Sequence, residues 1–93
     1  MALDFEIVYH KTVVEEDIPR LASTWKLKIQ TAIEEKLTTY PAVYGKPLRR
    51  SLKGYRKLRV GDYRIVFRIN GQKVLILAIL HRSVVYQIIE RRS

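Results

Sequence analysis

Hydrophobic and polar residues alternate over 3–9, with Leu3, Phe5, Ile7 and Tyr9 on one side. That period of two predicts a β-strand with one buried face. From Thr12 to about Leu21 the pattern predicts a short helix, with Pro19 near its end. Ser23 or Thr24 is placed to cap a second, longer helix running to about Thr39. Its apolar stripe is Ile29, Ile33 and Leu37 with Ala32 alongside, and Lys26, Gln30 and Glu34 fall on the wet side. Tyr40-Pro41 closes the helix, and residues 41–54, with two prolines and two glycines, read as the connection to a sheet.

Three strands are predicted next. Tyr55–Val60 is the first, followed by a tight turn at Gly61-Asp62. Tyr63–Ile69 is the second, with Tyr63, Ile65, Phe67 and Ile69 on one face and Arg64, Val66 and Arg68 on the other. Asn70-Gly71 is a hairpin signal, since both central residues of such a turn take positive φ. Val74–Leu80 is apolar throughout, which predicts a central strand covered on both faces. Val84–Arg92, with Val85, Ile88 and Ile89 at helical spacing, predicts a short C-terminal helix. The order β-α-α-β-β-β-α is that of an α+β fold: two N-terminal helices on a largely antiparallel sheet, closed by the short last helix.

Composition narrows the classes. Residues 1–93 fit a single domain with one modest core. An apolar content of 47% and a charged content of 29% are those of a folded globular chain. With no cysteine, neither a disulfide nor a thiolate metal site is expected. The two histidines, His10 and His81, stand far apart and give no metal ligand set. No Gly-rich nucleotide loop is present, so neither a metal nor a small-molecule cofactor is expected. The acidic start Met-Ala-Leu-Asp-Phe-Glu does not resemble a signal peptide, and the run Val74–Leu80 is far too short to cross a bilayer. No membrane partner is expected, and the cytoplasm is the expected compartment.

Charge changes the picture more. The net charge is +9, yet residues 1–44 carry five Lys/Arg against seven Asp/Glu, a net of −2. Residues 45–93 carry thirteen against two, a net of +11. Such segregation points to a polyanionic partner on one face. The densest stretch is 52–67, where Lys53, Arg56, Lys57, Arg59 and Arg64 sit among strand formers with Asp62 as the one acid. Arginines held on a rigid sheet present planar forks of donors suited to phosphate.

The runs Pro47-Leu48, Leu52-Lys53-Gly54-Tyr55, Leu58-Arg59-Val60-Gly61-Asp62-Tyr63-Arg64 and His81-Arg82-x-x-Val85-Tyr86 resemble the RelE/ParE superfamily of bacterial and archaeal toxins. Asp17-Ile18-Pro19-x-Leu21 and Ala32-Ile33-Glu34-x-Lys36-Leu37 fit as well, so the resemblance spans nearly the whole chain. It implies a small RelE-like fold and a type II toxin–antitoxin system. RelE-type members resemble ribosome-dependent endoribonucleases that cut messenger RNA in the aminoacyl site, whereas ParE-type members poison DNA gyrase. The ending His-Arg-x-x-Val-Tyr is similar to the RelE side and implies an mRNA interferase. By resemblance its partners are a cognate RelB-like antitoxin, which wraps the basic surface and masks or displaces the last helix, and the ribosome with its messenger and ribosomal RNA.

The residues themselves point to chemistry that needs no bound ion. RNA can be cut by its own 2′-oxygen, given a group to take the 2′ proton, another to protonate the leaving 5′-oxygen, and cations for the charged transition state. Arg64 and Arg82 are the expected cations, and both match basic positions that the family uses. Tyr86, four residues after Arg82, and Lys57 are the expected proton-transfer groups. A phenol and an ammonium ordinarily titrate at roughly 10 and 10.4, poorly matched to neutral pH, although neighbouring cations favour phenolate and neutral amine. The free protein is therefore expected to be a weak nuclease whose ribosome supplies positioning.

Lys53, Tyr55, Arg56, Arg59 and Arg68 are the expected RNA-binding residues, with Tyr55 able to stack on a base. Some family members carry lysines two residues apart where this chain has Tyr55 and Lys57, so the division of labour among Lys57, Tyr86, Lys53 and Arg59 stays open. Other readings coexist: Arg64 and Arg82 as surface ion-pair residues, Tyr86 as a core tyrosine, His81 as a structural residue facing away from Arg82. Asp4, Glu6, Glu15, Glu16 and Asp17 read as solvated charges. A gyrase inhibitor and a non-catalytic RNA-binding module remain the rival functions.

Overall fold

A computed structural model describes residues 4–48 and 54–92. A five-stranded sheet, ordered β1-β5-β4-β3-β2, has helices on both faces. Strand β1 is Glu6–Tyr9, two residues of the expected strand preceding it as coil and Leu3 lying outside the described residues. It pairs parallel with β5, and all other pairings are antiparallel. The α+β architecture thus matches the expectation from the sequence.

The first helical segment is irregular. A wide turn, Val13–Asp17, in which the Ile18 N–H reaches back to the Val13 carbonyl, passes into a tight turn, Ile18–Arg20. Pro19 sits early in that tight turn, where its missing N–H costs no hydrogen bond. Helix α1 follows at Ser23–Ala32 and continues as a second wide turn, Ile33–Leu37. Its N-cap is Ala22 in an extended conformation with no side-chain cap, so neither Ser23 nor Thr24 performs that role. Buried Leu21 draws the chain into the core and starts the helix one residue early. Ile29, Ile33 and Leu37 are buried as the spacing requires. Thr38 and Thr39 close the helix by donating their hydroxyls back to the carbonyls of Glu34 and Glu35.

The connection contains more order than its composition promised. Pro41–Tyr44 forms the single-turn helix α2, and Lys46–Pro47 forms β2, a two-residue edge strand on β3. Proline is tolerated there because an edge residue need not donate to a ladder. Strands β3 (Tyr55–Val60) and β4 (Tyr63–Asn70) pair around Gly61-Asp62 with Val60 opposite Tyr63. Gly61 has φ 58°, and an added Cβ would lie 2.5 Å from the Trp25 ring. Both facts demand glycine.

Strand β5 is Lys73–His81. Asn70 pairs with Lys73, so the loop between β4 and β5 is Gly71-Gln72, one residue later than the Asn-Gly signal implied. β5 is interior rather than central: β4 holds the middle because β1 takes β5's outer side. The register shifts within β5, with Val66 opposite Ala78 but Phe67 opposite Ile76, leaving Leu77 as an extra residue. The shift turns Val74 and Ile76 toward the α1 layer, and Ala78 and Leu80 toward the opposite face. There Val85 and Ile89 of α3 (Val85–Arg92) cover them, after a tight turn at Arg82–Val84.

Asp17 is not a solvated charge. Its side chain is wholly buried and bonds Arg92 through two contacts of 2.8 Å. The sequence conceals this because the partners lie 75 residues apart.

Candidate active site

On the face shared with α3, β3 presents Tyr55, Lys57 and Arg59, and β4 presents Arg64, Val66 and Arg68 in register with them. Helix α3 covers Val66 but leaves an open cleft of about 380 Å³ at the turn end of the sheet. Lys57, Arg64, His81, Arg82, Ser83 and Tyr86 line it. The expected catalytic residues Lys57, Arg64, Arg82 and Tyr86 therefore meet in one place.

Each is held by identifiable contacts. Arg64 donates through Nη1 to the carbonyls of Gly61 and Tyr63, both at 2.9 Å, which fixes its guanidinium over the turn. The Arg82 N–H donates to the Asp62 carbonyl at 2.8 Å, tying the end of β5 to the same turn. Its side chain approaches Asp62 at 3.9 Å, but both groups are about two-thirds exposed and water screens the pair. The Lys57 ammonium stands 5.9 Å from the centre of the Tyr86 ring.

The electrostatics are one-sided. Arg59 lies directly opposite Arg64 in the ladder, a like-charge pairing that weakens a sheet. Partial burial, then the charges of Arg59 and Arg82, pull the Arg64 guanidinium below its ordinary value, with Asp62 opposing. The pairing is therefore a local cost to the sheet. An anion with several oxygens relieves it.

The expected RNA-binding residues divide. Arg59 borders the cleft. Arg68 is exposed on the same face, opposite Tyr55 and roughly 13 Å along β4 from Arg64. Tyr55 is half-buried against the α3 cluster, with Leu77, Ile89 and Arg92 beside it. Arg56 points the other way and donates to the carbonyls of Gly45 and Ala42 at 3.0 and 3.3 Å, bracing α2. Strand alternation already separates it from Lys57. Lys53 lies outside the described residues.

His81 and Ser83 are additions that the sequence reading lacked. His81 stands opposite Tyr63 and meets its ring edge-on at 5.7 Å, and Tyr63 rests on Trp25 at 4.9 Å. The strand stops there, and the following turn brings His81 into one cleft with Arg82, from which it was expected to face away. The Ser83 N–H donates to His81 Nδ1 at 3.2 Å, which makes Nδ1 the acceptor and leaves the proton of a neutral ring on Nε2. Imidazole is the side-chain type best suited to proton transfer near neutrality. A histidine at a strand end followed by a serine two residues on was the available signal.

A family model described as the ParE toxin of the type II toxin–antitoxin system parDE matches residues 3–86. The chain belongs to this toxin family. A curated relative, "Toxin RelG" of Mycobacterium tuberculosis, is 42% identical over 53 residues, covering 55% of this chain. The match spans 61% of that relative's length. Among solved structures, the RelBE2 toxin–antitoxin complex of Mycobacterium tuberculosis superposes with a TM-score of 0.78 at 30% identity, covering 85% of this chain and 99% of that one. The RelB–RelE complex of Methanococcus jannaschii gives 0.66 at 24% identity, covering 87% and 96%, and attests to the fold alone. The ParE family model and these RelE relatives together place the chain in the RelE/ParE superfamily of type II toxins.

Proposed function

We propose that this toxin is an endoribonuclease that cuts messenger RNA on the ribosome by attack of the RNA's own 2′-oxygen. What supports the reading is one observation: Lys57, Arg64, Arg82 and Tyr86 line a single cleft open enough for a phosphodiester. The 2′ proton passes to Tyr86 or Lys57, and the 2′-oxygen bonds to phosphorus. The bond from phosphorus to the 5′-oxygen breaks, and a 2′,3′-cyclic phosphate and a 5′-hydroxyl remain. Arg64 and Arg82 stabilise the extra negative charge on the phosphoryl oxygens. His81, presenting Nε2–H, joins Tyr86 and Lys57 as a donor to the leaving oxygen. Arg59 and Arg68 extend the cationic track along the backbone of the RNA.

The proposed partners are the ribosome and a cognate antitoxin. The RelB–RelE relatives are solved as toxin–antitoxin complexes, which supports the second. Translation locates the toxin in the cytoplasm. Among the described residues no helix is long and apolar enough to cross a membrane.

A second reading is favoured by the family model's own ParE description: inhibition of DNA gyrase, with Arg64 and Arg82 as protein-binding groups. Primer extension on messenger RNA from cells expressing the toxin separates the two. Discrete cuts in codon phase support the nuclease. Intact messages with stalled supercoiling overturn it in favour of gyrase, and intact messages with normal supercoiling leave a non-catalytic RNA-binding module.

A further inference from the structure

Strand β1 leaves the sheet at Tyr9, where its pairing with β5 reaches Ile76, so among the described residues no strand neighbours the outer edge of β5 beyond Ile76. Backbone groups on either side of the register shift at Leu77 are met at that edge by side chains rather than by a strand. Two side chains meet them: the Ile79 N–H donates to Asp17 Oδ2 at 2.9 Å, and Arg92 Nη1 donates to the Leu77 carbonyl at 3.1 Å. Arg92 then closes on Asp17 with Nη1 donating to Oδ2 and Nη2 to Oδ1, each at 2.8 Å. The bond to Asp17 holds the Arg92 proton more firmly than usual, despite partial burial.

This arrangement joins three elements. Asp17 belongs to the first wide turn, Leu77 and Ile79 to β5, and Arg92 to the last turn of α3. Helix α3 is eight residues long, roughly 12 Å, and too short to persist without tertiary support. Its start is tethered through Arg82–Val84, and its far end is pinned by Arg92. Between these anchors it carries Tyr86 on the cleft and Val85 and Ile89 on the sheet.

We propose that Asp17 and Arg92 are positioning residues: their ion pair, completed by the backbone of Leu77 and Ile79, clamps α3 so that Tyr86 stays in the cleft. This rests on the nuclease reading above. Arg92→Lys keeps the charge and loses the fork, Arg92→Ala loses both, and Asp17→Asn keeps an acceptor for the Ile79 N–H.

The test measures two things on the full chain and its variants. Amide hydrogen exchange reads opening of α3 against the rest of the fold. Steady-state cleavage of ribosome-bound messenger RNA reads kcat and KM separately. In Arg92→Lys and Asp17→Asn, exchange over 85–92 is expected to quicken by roughly tenfold or more, with β3–β5 still protected. In the same variants kcat falls several-fold in step with that opening while KM stays near the wild-type value, because Lys57, Arg59 and Arg64 still hold the RNA. Arg92→Ala exceeds both.

Unchanged exchange in α3 overturns the clamp. Faster exchange with an unchanged kcat overturns the link to Tyr86. Exchange that quickens equally throughout, with kcat and KM untouched at equal folded protein, reduces the pair to a general stabiliser and overturns the proposal. A wild-type chain that leaves the message intact overturns the nuclease reading instead, and the exchange arm still reads whether the pair pins α3.

Discussion

Arg64→Ala separates a binding cation from a structural one. In the folded protein Arg64 makes two hydrogen bonds to exposed or half-buried carbonyls of its own turn. Net bonds of this kind contribute about 1 kcal/mol each, less where water competes. Against that stand the like charge of Arg59 directly across the ladder, worth about 0.2–1 kcal/mol of repulsion, and the further charge of Arg82. Losing Arg64 thus removes attraction and repulsion of similar size, and stability should move by no more than about 1 kcal/mol. Urea unfolding monitored by circular dichroism reads that quantity. Cleavage should behave differently. A preorganised donor aimed at developing charge contributes about 2.7–4 kcal/mol, so kcat should fall by roughly a hundredfold to a thousandfold. Arg64→Lys, which keeps a charge but not a planar fork, should fall between. A loss of about 3 kcal/mol of stability in Arg64→Ala, or a kcat matching wild type once folded fractions are equal, refutes this role for Arg64.

Other consequences follow from single residues. Gly61→Ala meets both the Trp25 ring and a positive φ, so it should cost more than about 1 kcal/mol, and its thermal midpoint should drop by several degrees. Phe67→Ala empties a wholly buried site beside Gly45 and should cost about 3–5 kcal/mol in the same urea assay. Partial burial, with Glu34 nearby, raises the Tyr9 phenol above its ordinary 10.0. A raised folded value means that the native state holds this proton longer, so its contribution is present below pH 10 and is lost as pH rises through the folded value. Stability should therefore slope downward above that pH, and Tyr9→Phe should flatten the slope when unfolding is compared across pH 9–11.

What the chain disclosed by pattern was whatever repeats locally. The β3–β4 hairpin, the Ile29–Ile33–Leu37 stripe and the basic residues flanking Gly61-Asp62 are each set by neighbours within a few positions, and the fold class followed from their order. What it hid depends on distant partners or broken periodicity. Seven consecutive apolar residues conceal the parity change at Leu77, because every position looks buried whichever way it faces. Asp17 looks like any surface acid until Arg92 is brought to it. Lys46–Pro47 is a strand only because β3 offers it an edge. Arg56 is the instructive miss, since period-two alternation places it away from Lys57 and charge counting alone grouped them.

The identity of the nucleophile is the most direct test of the proposed chemistry. A ribosome-bound message carrying a single 2′-deoxy nucleotide immediately 5′ of the mapped cut should resist this toxin at that bond while remaining cleavable at ribonucleotide sites elsewhere. The corresponding all-ribose message should yield a 2′,3′-cyclic phosphate by mass spectrometry. Cleavage persisting at the deoxy position, or a 3′-hydroxyl end on the ribose message, would contradict the account.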